Sequence, residues 1–153
     1  MTLKTELLRA KNYAFLLLKY RLRSCKEIRD RLKRKNFSSD IIETVIKDLS
    51  ENKFLDDQAF ARAWSDYRLR NKIGIRRLWL ELKAKGIPKE LIEKQINQAK
   101  NEYNEEETIE EIIKQKVRKL SSPVDLGAKR RIYSFLLRRG FSPERVSEKI
   151  KQL

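Results

Sequence analysis

The chain has 153 residues, 40% hydrophobic and 39% charged, with a formal net charge of +15 and an isoelectric point near 10. One cysteine and no histidine exclude an internal disulfide, a Cys2His2 or HExxH metal site and a Ser-His-Asp triad. Four glycines and three prolines leave little material for hairpins, so the abundant Leu, Ile, Lys, Arg and Glu favour an all-α chain with thin cores.

Apolar residues recur with helical spacing almost throughout. A first helix is expected from Leu3 to Leu22, with Leu7, Ala10, Ala14, Leu17 and Leu18 on one stripe. Ser24 and Glu27 have capping-box spacing and open a second helix that stops near Asn36. Ser38 caps a third, with Ile41, Ile42, Val45, Ile46 and Leu49 facing inward. Beyond a break at 52–55, Asp56 or Asp57 caps a fourth helix carrying Phe60, Ala61, Trp64 and Tyr67, which Gly74 ends or bends. A fifth carries Leu78, Trp79 and Leu82 and stops at Gly86. Pro88 opens a sixth, with Leu91, Ile92, Ile96 and Ala99 inward. The seventh begins with Glu105, Glu106 and Glu107 and ends in Lys114, Lys116, Arg118 and Lys119, an order that suits the helix dipole. An eighth runs from about Asp125 to Gly140 with Ile132, Tyr133, Leu136 and Leu137. Ser142 and Pro143 cap a ninth with Val146, Ile150 and Leu153 inward.

One phrase is written three times: LKRKNF at Leu32 to Phe37, LKAKGI at Leu82 to Ile87, and LLRRGF at Leu136 to Phe141. Alignment on it brings Ile28, Leu78 and Ile132 into step, and likewise Ile42, Ile92 and Val146, and Ile46, Ile96 and Ile150. Five apolar positions in register define an internal repeat, so the chain reads as three-helix units of about 50 residues, spanning 1–55, 56–104 and 105–153. The phrase is a corner between helices: Asn36, Gly86 and Gly140 suit a left-handed residue, and Phe37, Ile87 and Phe141 fold back onto the core.

Such a corner could belong to a helix-turn-helix motif, whose second helix would enter the major groove. The helix after the first corner, however, carries Asp40, Glu43, Asp48 and Glu51 against one lysine, which phosphates would repel, and its counterparts are mixed in sign. The positive charge lies one helix earlier. It comprises Arg31, Arg34 and Lys35; then Arg76, Arg77, Lys83 and Lys85; then Arg130, Arg131, Arg138 and Arg139, joined by Arg21, Arg23, Arg68, Arg70 and Lys72 from the ends of the first helices. A repeated basic ridge suits a long acidic surface or a phosphate backbone better than a compact operator site. Trp64, Tyr67, Trp79 and Tyr133 are expected in the core. A position at a helix N-terminus can lower the Cys25 thiol pKa, but no histidine is present to act as its base. No cofactor, metal site or catalytic constellation is expected, nor a spanning helix, a signal peptide or membrane association. A cytoplasmic monomer is expected.

The stretches RLRSCKEIRDRLKRKNF (Arg21 to Phe37), FLDDQAFA (Phe54 to Ala61) and KIGIRRLWLELKAKGI (Lys72 to Ile87) resemble, in that order, motifs of the RecX regulatory protein family. The resemblance covers residues 12 to 100 strongly and the final LLRRGF…VSEKI more loosely. It implies three tandem three-helix units in a curved, elongated molecule. It also implies a non-enzymatic regulator that binds the RecA recombinase filament on DNA and restrains its ATPase and strand-exchange activities. DNA repair and the SOS response would be modulated in turn, with direct DNA contact sequence-independent and secondary. A general architectural DNA-binding protein is the alternative that charge alone supports.

Overall fold

A computed structural model describes residues 2–153, in which nine α-helices and no strands occur. They are α1 (Leu3–Tyr20), α2 (Cys25–Arg34), α3 (Ser39–Glu51), α4 (Asp57–Arg70), α5 (Ile75–Ala84), α6 (Lys89–Glu102), α7 (Glu105–Arg118), α8 (Leu126–Arg138) and α9 (Pro143–Lys151). Side chains of Thr2, Ser24, Ser38, Asn104 and Asp125 each accept a backbone N–H from the first turn of the helix that follows. Three ends differ from the sequence reading. Helix α4 stops at Arg70, followed by a left-handed Lys72 with φ of 58°, and Gly74 neither ends nor bends it but stands just before α5. Helix α1 stops at Tyr20 rather than Leu22, because Arg21 is extended. Ser142 precedes α9 without a side-chain cap and instead donates its hydroxyl to Glu144 at 2.8 Å, while Pro143 pre-sets the first turn.

By proximity of their Cα atoms the residues fall into two compact units, Met1–Ala63 with Leu82–Ile92 and Trp64–Glu81 with Glu93–Leu153. In the first, α1, α2 and α3 enclose a core of Ala10, Ala14, Leu17, Ile28, Leu32, Ile42, Val45 and Leu49. In the second, α7, α8 and α9 enclose Ile109, Ile113, Ile132, Leu136, Phe141 and Val146. The repeat register survives in burial: Ile28, Leu78 and Ile132 are at most 4% exposed, and Leu32, Leu82 and Leu136 are fully buried.

Three expected core residues lie outside. Tyr67, Trp79 and Leu153 are 52%, 39% and 40% exposed. Trp79 sits about 100° round its helix from Leu78, and a bundle this thin encloses one face of a helix, not two. Trp64 and Tyr133 are half-buried.

The three corners share one hydrogen-bond pattern. The N–H groups of Asn36, Gly86 and Gly140 bond to the carbonyls of Lys33, Lys83 and Leu137, while those of Phe37, Ile87 and Phe141 reach Leu32, Leu82 and Leu136. This is the Schellman motif, and its left-handed residue has φ of 64°, 75° and 91° at the three corners. Leu32 and Leu136 therefore both fill a core and anchor a corner. Truncation of either to Ala should cost about 2–5 kcal/mol, whereas Leu153→Ala should cost under about 0.5 kcal/mol, as read by denaturant unfolding.

Candidate partner-binding surface

Each middle helix begins with four backbone N–H groups that have no helical partner. At α2, Ser24 accepts the N–H of Glu27 at 3.2 Å, and the Asp57 carboxylate, from the start of α4, accepts the N–H of Cys25 at 2.9 Å. At α5 the same task falls to Glu105, the first residue of α7, which accepts the N–H of Ile75 at 2.8 Å. Cys25 and Ile75 stand 50 positions apart in the repeat, so one device occurs twice. Glu105 is only 7% exposed and is also paired with Arg145 at 3.0 Å.

The following corner presses against each of these starts. A Cβ built on Gly86 would lie 2.6 Å from the Lys26 Cβ, and one on Gly140 would lie 2.3 Å from the Arg77 Cβ and 2.5 Å from the Arg77 backbone nitrogen. Gly74 donates its N–H to the Arg139 carbonyl at 2.7 Å, and a Cβ there would meet the Gly140 backbone at 2.1 Å.

Many basic residues of the ridge act in these joints. Glu27 gathers Arg21 at 2.5 Å, Lys85 at 3.6 Å and Arg23 at 3.9 Å, and Arg23 also donates to the Leu17 carbonyl. Arg68 grips Glu81 at 2.7 Å, with Arg77 at 3.7 Å from the same carboxylate. Arg77 also donates to the Arg138 carbonyl at 2.8 Å, and Arg139 to the carbonyls of Asn71 and Lys72. Lys72 pairs with Glu111 at 3.2 Å. Arg31 donates to the Tyr13 hydroxyl at 3.4 Å, and the Lys35 ammonium lies 5.2 Å from the centre of the same ring. Arg34, Lys35, Arg70, Arg76, Lys83, Arg130, Arg131 and Arg138 are exposed. The ridge is therefore of two kinds: cations that tie elements together, and cations on the exposed surface.

Asp56 is the cap of α4, accepting the N–H groups of Gln58 and Ala59 at 3.0 and 3.1 Å. The Cys25 thiol is shifted up, not down: burial dominates, and the Asp57 carboxylate disfavours the thiolate further. Among the described residues no group of three or more His, Cys, Asp or Glu could hold a metal ion, and no helix is long and apolar enough to cross a membrane. Sequence reasoning missed Asp57 and Glu105 as partners of the preceding middle helix. Their shared place at the start of the next unit was the available signal.

Fold and composition together define a class: a basic, all-α protein of tandem three-helix repeats. Three family models match it in order, RecX first three-helix domain at residues 10–49, second at 56–94 and third at 104–150. The Regulatory protein RecX of Bacillus subtilis is 36% identical over 145 residues, covering 93% of this chain and 54% of that protein. Its counterpart in Haemophilus ducreyi is 31% identical, covering 90% of this chain and 88% of that protein. The crystal structure of RecX from Lactobacillus salivarius superposes with a TM-score of 0.79 at 22% identity, covering 98% of this chain and 97% of that one. The chain belongs to the RecX family of regulatory proteins. It spans about half the length of several of the curated relatives it matches.

The Glu27 joint carries a pH signature. Burial raises the carboxyl pKa, but the Arg21 hydrogen bond, the Lys85 and Arg21 charges and the Ser24 backbone N–H outweigh it, so the pKa lies below its ordinary 4.5. A carboxyl depressed in the folded state stabilises above its unfolded pKa, and that contribution is lost as pH falls through the folded value. Stability should therefore decline as pH falls below about 4.5, and Glu27→Gln should flatten that decline in denaturant titrations run across the acid range.

Proposed function

We propose that this protein is a non-enzymatic cytoplasmic regulator that binds the RecA recombinase filament on DNA. It restrains the filament's ATP hydrolysis and strand exchange, and through them modulates DNA repair and the SOS response. Family membership carries the proposal. The physics is consistent with it: an array of three units, over 1–55, 56–104 and 105–153, offers exposed cations on successive middle helices, such as Arg34, Arg76 and Arg130. Spaced cations suit a repetitive acidic surface running beside phosphates. Helix α3 has acidic side chains engaged at home, Glu43 with Arg29 at 2.7 Å and Asp48 with Lys11 at 2.6 Å, and makes a poor reader of base edges. Direct DNA contact is then sequence-independent and secondary, and the working species is a monomer.

The net charge of +15 favours one second reading, a general DNA-covering protein. It differs in salt dependence, because covering DNA releases counterions and weakens steeply with salt. Substoichiometric protein should slow DNA-dependent ATP hydrolysis by the cognate recombinase at salt where the protein alone scarcely binds DNA. Equal inhibition of an unrelated DNA-dependent ATPase would favour the covering protein instead. Reversal of the exposed pair, Arg130→Glu with Arg131→Glu, should raise the half-inhibiting concentration about tenfold while leaving the melting temperature within about 2 °C.

A further inference from the structure

The exposed apolar residues of α5 border a groove. A cavity of about 430 Å³ is lined by Ile75, Arg76, Trp79, Leu80, Ile96 and Lys100. A second cavity, of about 340 Å³, adjoins it through the shared residues Ile75, Arg76 and Lys100 and adds Tyr103, Glu105, Ser142 and Arg145. One end is thus apolar, with Trp79 39% and Leu80 59% exposed, and the other is polar and carries three cations. The carboxylate of Glu105 is committed to Arg145 and to the N–H of Ile75, so the groove keeps a net positive charge. Exposed tryptophan and leucine next to arginine and lysine cost solvation unless a partner covers them, and the adjoining charge dictates what kind of partner.

We propose that this groove docks an amphipathic protein segment of the recombinase, whose apolar side chain enters between Trp79, Leu80 and Ile96 and whose carboxylates face Arg76, Lys100 and Arg145. The inference rests on the reading of this chain as a filament regulator and names the chemistry of the surface it grips. Protein is favoured over a nucleic-acid base because three of the four apolar walls, Ile75, Leu80 and Ile96, are aliphatic. Aliphatic walls surround a Leu or Phe side chain well, as in helix-in-groove recognition, but give a base no stacking surface.

The test uses the full chain and four variants. Each is assayed for inhibition of recombinase ATP hydrolysis on DNA, for oligo(dT) binding by fluorescence anisotropy, for sedimentation and for melting. Leu80→Gln changes no charge at an exposed position. It should raise the half-inhibiting concentration at least tenfold with oligo(dT) affinity and melting unchanged, and Leu80→Met should retain inhibition. The pair Arg76→Glu with Lys100→Glu should also lose inhibition. Trp79→Leu, which keeps an apolar wall but no ring, should bind oligo(dT) as the parent does. Inhibition by Leu80→Gln equal to the parent's would overturn the docking groove and leave the regulator reading standing. Loss of oligo(dT) binding by Trp79→Leu in step with lost inhibition would make the groove a base-stacking site instead. A parent dimer abolished by Leu80→Gln would assign it to a second copy of this chain. Absence of inhibition by the parent would remove the regulator reading, and the inference with it.

Discussion

The structure depends on how the corner of one helix triplet meets the start of the middle helix in the triplet before it. Gly86 lies against Lys26, and Gly140 against Arg77, closer than any Cβ would permit. A carboxylate, Asp57 or Glu105, completes each joint by accepting an otherwise unpaired helix N–H. Small cores alone would leave three-helix units of this size marginal. In a repeat array, stability is the sum of what each unit contributes and what each interface adds, and these joints supply the interface.

The joints also decide which of the many cations are available. Lys85 is tied to Glu27 in one joint, and Arg77 and Arg139 donate to backbone carbonyls in the other. Removing their charge would therefore damage the scaffold and the surface together. Arg34, Arg76, Arg130 and Arg131 are exposed, and a partner surface is better sought there. A strongly basic protein can in this way spend part of its charge on cohesion while presenting the rest outward. The exposed Trp79 and Leu80 add apolar surface beside that charge.

Much of the fold was legible because helical periodicity and repeat register report the same thing. Ile28, Leu78 and Ile132 align in the sequence and are buried in the structure. The corner residues were legible too, since only glycine or asparagine adopts a positive φ cheaply. The second demand on those glycines was not legible. Close backbone approach, such as that of Gly86 to Lys26 and of Gly140 to Arg77, leaves no pattern in a single chain. Trp79 misled for a related reason: its spacing fits a core face, and only the thinness of the bundle turns it outward. Glu105 misled in the opposite sense. It reads as one of three acids at a helix start and is buried against Ile75 and Arg145.

Exchange of the corner residues separates conformation from contact most directly. Asparagine accepts the left-handed conformation, as Asn36 shows with φ of 64°, but it carries a Cβ. If close approach at the corners holds the array together, Gly140→Asn should cost more than about 2 kcal/mol in denaturant unfolding, while Asn36→Gly should change stability by no more than about 0.5 kcal/mol. If Gly140→Asn proves as mild as Asn36→Gly, the glycine serves only its dihedral angle and the joint is not what couples the repeats.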